Sequence, residues 1–441
     1  MAMTNNDVLR MAQEAHVTSI RLQFTDIFGA MKNVTVAVEQ LERVLNNEMM
    51  FDGSSIEGMV RIEESDMLLY PDPNSFVILP WITGEPVGRL ICDVHNIDST
   101  PFAGDPRQIL KKVISEADSM GFRCCVGPEA EFFLFRTHED GSPTTHTHDK
   151  AQYFDMEHVD KGEDARRDMV SVLKRMGFEI EASHHESAPG QHEIDFKYSD
   201  ALTTADNIMT FKSVVKVIAQ QHGLHATFMP KPVYGIAGSG MHVNLSLFAG
   251  ANNAFADAKD EYGLSTTAYQ FIAGVLQHAA GMTAITNPLV NSYKRLVPGH
   301  EAPVYIAWAI HNRSPLIRVP STRGTSTRIE LRHPDPSCNP YLALALALRA
   351  GLDGVRRKLT PPSAVNTNLY ELDEAERDDL DIHRLPRNLG DAVKALQADA
   401  LLVDTLGSHV TERYTTAKRL EYLDYRTRVT PWEIEHYLGR Y

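Results

Sequence analysis

The sequence has few cysteines, no excess of positive charge and no long hydrophobic run, and each absence excludes a class of protein. Four cysteines, at positions 92, 124, 125 and 338, include no C-x-x-C pair, so no zinc knuckle or thioredoxin-type redox site is indicated. A formal net charge of −15 argues against nucleic-acid binding, which needs a basic face. No segment approaches the ~20 apolar residues that cross a bilayer, and the N-terminus does not resemble a signal peptide. We therefore expect a soluble, cytoplasmic protein that binds neither nucleic acid nor membrane.

The length and the pattern of elements indicate two domains of the α+β class. A chain of 441 residues exceeds the usual size of one hydrophobic core. The turn-rich segment NIDSTPFAG marks a junction, which gives an N-terminal domain at 1–103 and a C-terminal domain at 104–441. Period-two alternation predicts a hairpin at 19–26 and 34–38, and further strands around 75–80 and 88–94. Apolar stripes at helical spacing predict helices at 106–121, 162–176, 201–221, 265–283 and 339–354. These elements lack the βαβ rhythm of a parallel sheet.

The segment GPEAEFFLF, residues 127–135, places two carboxylates in otherwise apolar surroundings. In a strand, Glu129 and Glu131 point to the same side. Burying an ionised carboxylate costs several kcal/mol unless a cation or hydrogen bonds offset the cost. The alternative is a pair of solvated glutamates at a strand end, and this segment alone favours neither interpretation.

A second strand, GSGMHVNLSLF at 238–248, alternates in the same way. His242, Asn244 and Ser246 share one face, after a glycine-rich entry that allows a ligand close to the backbone. A lone histidine on a strand is more often a structural residue than a ligand. Three polar residues in alternation weaken that alternative.

Two further segments contribute charged side chains. In 184–196, Glu186 and Glu193 lie on either side of a Pro-Gly turn and are able to converge on one point. In 325–335, Glu330 lies between two arginines on one face of a strand, a pattern that an exposed ion-pair ladder would also give.

Together these segments supply an oxygen-rich set of candidate metal ligands with one nitrogen donor. Hard oxygen ligands suit Mg²⁺ or Mn²⁺ rather than zinc. Six ligands exceed what one octahedral ion takes from protein, so we expect two or more ions, an arrangement typical of phosphoryl transfer. Nearby arginines are suited to binding anionic substrates. The candidate ligands are Glu129, Glu131, Glu186, Glu193, His242 and Glu330, and the arginines are Arg295, Arg313, Arg318, Arg328 and Arg332.

At this point several segments resemble the signatures of type I glutamine synthetase, in the order and at the spacing of that family. They are FDGSSIEGM (51–59), EAE (129–131), KPVYGIAGSGMH (231–242), NSYKRLVPGHEAP (291–303) and RIELRHPDPSCNPYLA (328–343). The resemblance implies a small N-terminal β-grasp domain and a larger catalytic domain with a curved antiparallel sheet flanked by helices. It also implies a dodecamer of two hexamer rings with active sites between subunits. The stretch between Glu131 and Glu186 is short, which is similar to the non-adenylylated, feedback-inhibited subclass.

The resemblance also implies an activity, the ATP-dependent ligation of ammonia to L-glutamate through a γ-glutamyl phosphate. Two or more Mg²⁺ or Mn²⁺ ions are expected in each active site. One ion is assigned to Glu131, Glu186 and Glu193, and the other to Glu129, His242 and Glu330. ATP is assigned to Glu181, Asn244, Ser246, Arg313 and Arg318, and glutamate to Gly238, Arg295, Glu301, Arg313 and Arg332. The residues expected to act in catalysis are Arg313, Asp52, which would deprotonate ammonium, and Glu301 on a flap; Arg61 is assigned to feedback inhibition.

Two alternatives remain open. A ligase of the same fold would join glutamate to a polyamine, although Asp52 and the flap residue Glu301 favour ammonia. A non-catalytic regulatory relative would have lost metal ligands, and all six are present here. A regulatory protein partner is a further expectation that the sequence itself does not demonstrate.

Overall fold

The computed structural model describes residues 2–56, 58, 66–156, 158–299 and 302–441. Its N-terminal part is a five-stranded sheet with a hydrophobic core of its own, formed around Ile20, Leu22 and Leu90. The strand order is β2-β1-β5-β4-β3, in which β1 and β5 run parallel and the other neighbours antiparallel. The elements are α1 (Asn5–Glu14), β1 (Ser19–Thr25), β2 (Met31–Ala37), α2 (Leu41–Leu45), β3 (Met49–Asp52), β4 (Asp66–Ile78) and β5 (Val87–Asn96). This sheet with its helices is the expected β-grasp arrangement, and the β1–β2 hairpin is confirmed.

The larger part follows from residue 106 onward and contains a second core. Its first half comprises α3 (Pro106–Ser119), β6 (Arg123–Thr137), β7 (Pro143–Thr147), α4 (Glu163–Arg175), β8 (Ile180–His185), β9 (Gln191–Phe196), β10 (Ser199–Asp200), α5 (Ala201–Gln221), β11 (Leu224–Thr227), β12 (Met241–Ala249) and β13 (Asn252–Asn253). Its second half comprises α6 (Thr266–Thr286), α7 (Ser292–Arg295), β14 (Trp308–Ile310), β15 (Ile317–Val319), β16 (Ile329–Leu331), α8 (Pro340–Arg357), α9 (Glu374–Asp379), α10 (Leu389–Ala398), α11 (Ala400–Thr427) and α12 (Pro431–Tyr437). All five predicted helices are confirmed. None of the helices among these described residues is long and apolar enough to cross a membrane.

Capping residues explain where two of the predicted helices begin. The Asp105 side chain accepts a hydrogen bond from the Arg107 N–H at the start of α3, and Pro106 occupies the first turn. Asn339 caps α8 in the same way, again followed by proline. Both sequences therefore satisfy backbone donors that a helix leaves unpaired at its N-terminus.

The larger sheet has the central order β14-β15-β16-β12-β6-β9-β8, while β7, β10 and β11 also pair with β6, and β13 pairs with β12. Its strands run antiparallel, as expected, except at one edge, where β14 and β15 are parallel. Parallel neighbours usually need a long crossover. Here each strand has only three residues, so the short link 311–316 is enough to return the chain. The sheet is therefore mixed.

Alternation along the central strands separates a core face from a polar face. On β12, Met241, Val243 and Leu245 are buried in the core, whereas His242 and Asn244 are half-buried on the opposite side. This is the period-two pattern predicted for the strand. The polar face of the larger sheet is therefore where the candidate ligands are presented.

Candidate active site

Strand register brings the predicted ligands together on the polar face of the larger sheet. Glu129 on β6 lies opposite His242 on β12, and Glu131 on β6 lies opposite Glu193 on β9. Side chains on directly opposed residues of antiparallel strands are close neighbours. Pairing of β12 with β16 adds Glu330 beside this group.

The first cluster consists of Glu129, His242 and Glu330, whose ligand atoms lie within 4.8 Å of one another. His242 Nδ1 is 3.3 Å from Glu129 Oε2 and 3.9 Å from Glu330 Oε1. The guanidinium groups of Arg318 and Arg332 both donate hydrogen bonds to Glu330. Burial opposes ionisation of Glu129, but hydrogen bonds from His242 and from the side-chain amide of Asn244 outweigh it and lower the pKa of Glu129 to about 2. The pKa of Glu330 is lowered as well, so both carboxylates are ionised, and Arg318 and Arg332 partly neutralise them.

The second cluster, Glu131, Glu186 and Glu193, lines the same cavity with less compensation. The Gly240 N–H donates to Glu131 Oε2 at 2.9 Å, and Gln191 Nε2 donates to the same oxygen at 2.8 Å. Burial and the negative charges of Glu131 and Glu186 raise the pKa of Glu193 to about 9. A cation placed among these carboxylates would remove the repulsion that produces this shift. The donor set thus fits a hard divalent cation.

Two residues beside this cluster, His184 and Asp195, are not among the ligands predicted from the sequence. His184 Nε2 is 3.5 Å from Glu193 Oε1, and its Nδ1 is 3.6 Å from Glu186 Oε1. Ligand atoms of His184, Glu193 and Asp195 also lie within 4.8 Å of one another. The sequence carries a signal for both, since His184 lies two residues before Glu186, and Asp195 lies two residues after Glu193 on the same face of β9.

Both clusters line a single cavity of about 430 Å³, which we call the carboxylate cavity. All six predicted metal ligands and three of the predicted arginines contribute to it. Its lining residues are Glu129, Glu131, Tyr153, Glu186, Ser187, Glu193, His242, Arg313, Arg318, Glu330 and Arg332.

A second cavity of about 340 Å³, the adjoining cavity, shares Glu129 with the first. Its walls include the rings of Tyr198 and Phe248, which provide flat apolar faces, and Arg328, which donates to Asn244 Oδ1 at 3.0 Å. Three residues predicted to contact ATP lie here: Glu181, Asn244 and Ser246. The structure thus brings these three residues together, next to the carboxylate cavity.

Two predicted glutamate-binding residues lie behind the cavity surface. Arg295 is only 4% exposed, and its guanidinium donates to the carbonyls of His333 at 2.8 Å and Pro334 at 3.3 Å. At Gly238 a side chain would be excluded, because an added Cβ would lie 2.3 Å from the Pro230 carbonyl oxygen. Arg295 therefore also holds the backbone that follows β16.

The remaining predicted residues lie apart from these cavities or outside the described residues. Asp52 is exposed on β3 of the N-terminal sheet, where hydrogen bonds from the Ser54 hydroxyl at 2.6 Å and N–H at 2.8 Å lower its pKa. Within this chain Asp52 does not line either cavity. Arg61 and Glu301 are outside the described residues.

Comparisons with known proteins agree across almost the whole chain. The profile of the family described as "Glutamine synthetase, catalytic domain" matches residues 103–437, and that of "Glutamine synthetase, beta-Grasp domain" matches residues 16–97. The chain is 60% identical over 439 residues to a glutamine synthetase of Clostridium saccharobutylicum, covering 99% of each sequence. It is 58% identical over 440 residues to that of Staphylococcus aureus strain MW2, again covering 99% of each.

Solved structures share the fold. A structure described as a GmaS/ADP complex superimposes with a TM-score of 0.90 at 36% identity, covering 98% of this chain and 99% of that one. A Plasmodium falciparum glutamine synthetase gives a TM-score of 0.88 at 24% identity, covering 99% of this chain and 100% of the other, which supports the fold alone.

Proposed function

This chain belongs to the glutamine synthetase family, and we propose that it uses ATP to join ammonia to the side-chain carboxylate of L-glutamate. The observation that carries this proposal is the pair of cavities sharing Glu129, one rich in carboxylates and arginines and the other with aromatic walls. A site that activates a carboxylate with ATP needs both environments side by side. The products are glutamine, ADP and phosphate.

The carboxylate cavity is proposed to hold at least two divalent cations, Mg²⁺ or Mn²⁺. Glu129, His242 and Glu330 would hold one, and the residues around Glu193 the other. Such cations would offset the negative charge of the transferring phosphoryl group. The close approach of His184 to Glu186 and Glu193 adds it to the residues proposed to position the second cation.

The adjoining cavity is proposed to bind ATP with its phosphates directed toward Glu129. Its rings and the polar side chains of Glu181, Asn244 and Ser246 suit a nucleoside. The relative named as a GmaS/ADP complex, with the same fold, supports a nucleotide here. Arg313 and Arg318 line the carboxylate cavity and would contact the phosphates, since guanidinium binds phosphate oxygens in bidentate fashion.

Glutamate is proposed to lie beside the transferred phosphate, near Arg332, Arg313 and the backbone at Gly238. In the first step a glutamate γ-carboxylate oxygen attacks the terminal phosphorus of ATP, and ADP leaves. In the second step ammonia attacks the acyl carbon, and phosphate leaves with the C–O bond electrons. The arginines stabilise the charge that develops on the phosphoryl oxygens.

Asp52 is proposed to bind ammonium and accept its proton, because ammonium itself is not a nucleophile. Its distance from the cavities of its own chain is consistent with an active site between subunits, in a dodecamer of two hexamer rings. Glu301 is proposed to close the site, and Arg61 to mediate inhibition by glutamine. A regulatory protein partner and a cytoplasmic location are further proposals of the same kind.

The test is phosphate release from ATP and glutamate, measured with and without ammonium. We expect ammonium to accelerate release and glutamine to appear in equal amount. Release that ammonium leaves unchanged would contradict the ligase assignment. Putrescine in place of ammonium tests the polyamine alternative, which requires it to support faster turnover than ammonium does.

A further inference from the structure

A network of buried polar side chains lies behind the β8–β9 hairpin, away from the carboxylate cavity. His184 and Glu193 face the cavity, so their neighbours His185 and His192, which pair with each other, face the opposite way. Each member of this network is at most 7% exposed. We call it the polar network: His148, Asp149, Asp160, Arg166, His185 and His192.

Within this network Asp149 is connected to both ends of the hairpin turn at 186–190. Its Oδ1 accepts a hydrogen bond from the Gly190 N–H at 2.9 Å and lies 3.3 Å from His185 Nε2. His185 Nδ1 in turn donates to the carbonyl of Glu186 at 2.7 Å. One buried carboxylate therefore connects the residue that begins the turn with the residue that ends it.

Asp149 also contacts a residue that is bonded to the central strand β6. Its Oδ2 is 3.0 Å from His148 Nε2, a close contact without hydrogen-bond geometry, and His148 Nδ1 donates to the Leu134 carbonyl at 3.0 Å. The strand that carries Glu131 and the turn that carries Glu186 are thus linked through His148, Asp149 and His185.

The hydrogen bonds that the Glu186 carboxylate accepts come from within the turn. The donor is the adjacent Ser187, through N–H at 2.9 Å and through the hydroxyl at 3.3 Å. These contacts are local and move together with the turn. Functional ligands must be held within about 0.5 Å of the productive geometry, and losing an outer partner of a metal site typically costs about 10–100-fold in metal affinity.

We propose that Asp149 is a positioning residue, which fixes Glu186 relative to Glu131 and thereby sets the divalent-cation affinity of the second cluster. This inference rests on the proposed function, in that the second cluster must bind a cation. In this role Asp149 itself contacts neither substrate nor cation.

The test is a calorimetric titration of the intact oligomer with MnCl₂, without substrates, for wild type and Asp149→Asn. The substitution keeps the shape and one acceptor oxygen but removes the charge that faces His185. We expect roughly tenfold weaker Mn²⁺ binding at one class of site, with the other class unchanged. Glu186→Gln serves as the benchmark for which class is affected.

Asp399→Asn is the control, because it makes the same change in a half-buried Asp–His pair outside both cavities, in which His278 Nδ1 is 2.6 Å from Asp399 Oδ2. It should leave Mn²⁺ binding unchanged, whatever its effect on the melting temperature. Wild-type binding by Asp149→Asn, or equal weakening by the control, would overturn the proposal. If Asp149→Asn does not fold, His185→Gln replaces it. We then expect Mn²⁺ binding about threefold weaker at the same class of site. Wild-type Mn²⁺ binding by His185→Gln would overturn the proposal. Absence of Mn²⁺ binding in wild type would instead count against the proposed function.

Discussion

Two groups of buried carboxylates differ in whether the protein supplies their positive charge. Where the N-terminal sheet meets the larger part, Arg107 is 3% exposed and donates to Asp72 and Asp93 at 2.7 Å and to Asp206 at 2.9 Å. Around Glu193, in contrast, burial and neighbouring carboxylates raise the pKa to about 9. In the first group the folded chain itself supplies the positive charge, whereas we propose that the second group takes its positive charge from a cation in solution. The difference separates a structural ion cluster from a functional one.

The largest effect is expected from removing the cation of the structural group. Arg107→Met would leave three aspartates without their shared partner, which should lower the free energy of unfolding by about 3–5 kcal/mol. Urea unfolding measures this loss. Arg167→Met, at an exposed arginine paired with Glu163 and Asp164, should cost less than about 1 kcal/mol. Equal losses of unfolding free energy in the two variants would mean that Arg107 stabilises the protein no more than an exposed arginine does.

The next effect concerns catalysis at the functional group. Glu330→Gln removes a charge that is shared by His242, Arg318 and Arg332, and should reduce ammonium-dependent phosphate release by about 10²–10³-fold. Steady-state kinetics at saturating ATP measure the reduction. Glu374→Gln, on the exposed helix α9, is the control and should retain wild-type turnover. Activity within threefold of wild type for Glu330→Gln would contradict the role given to the first cluster.

Divalent cations should stabilise the folded protein by binding at the carboxylate cavity, and not at the aspartates around Arg107. MgCl₂ or MnCl₂ at 100 times its Kd should raise the free energy of unfolding by about 2.7 kcal/mol, and a chelator should reverse this. The part of this stabilisation that comes from the cation of the second cluster should vanish in Glu193→Gln, leaving that of the first cluster, whereas all of it should persist in Arg107→Met, which does not alter the cation sites. Thermal unfolding with and without cation measures it. An undiminished increase in Glu193→Gln would mean that no stabilising ion binds at the second cluster.

The smallest effect concerns a third group, in which the protein's cation is titratable. His278 on α6 lies between Asp399, at 2.6 Å, and Asp353, at 3.4 Å, and Arg357 also pairs with Asp353. Burial opposes protonation of His278, but the two aspartates outweigh it and raise its pKa. The folded state therefore binds this proton more tightly than the unfolded state. Its stabilisation is complete below about pH 6.5 and is lost as the pH rises through the raised pKa.

Urea unfolding from pH 6 to 9 measures this slope, which cannot exceed about 1.4 kcal/mol per pH unit for one proton. Asp399→Asn should flatten it. A slope of the opposite sign in that range, present in wild type and absent in Asp399→Asn, would contradict the stabilising role of protonated His278.

Local patterns predicted much of this molecule, and long-range register accounts for what they missed. The shared face of Glu129 and Glu131, and that of His242 and Asn244, follow from period two within a single strand. The pairing of Glu131 with Glu193 depends on which strands become neighbours, and no local signal specifies that. The sequence predicts a strand only around 75–80, which is shorter than the observed β4 and misses its start, a segment that contains Pro71 and Pro73. Strand β4 begins at Asp66 and accommodates the prolines with a register shift between Asp72 and Val77.

The role of Arg295 was also only partly accessible from sequence. Its place among other arginines predicted anion binding, yet its guanidinium donates to the backbone carbonyls of Arg332, His333 and Pro334. An arginine's sequence neighbours do not reveal which carbonyls will lie within its reach after folding.

Because Glu129 lines both cavities, we expect the affinities of the cation and the nucleotide proposed to occupy them to be thermodynamically linked. By whatever factor a nucleotide in one cavity increases cation affinity in the other, the cation increases nucleotide affinity by the same factor. Nucleotide titrations of this protein therefore yield dissociation constants that hold only for a stated cation concentration.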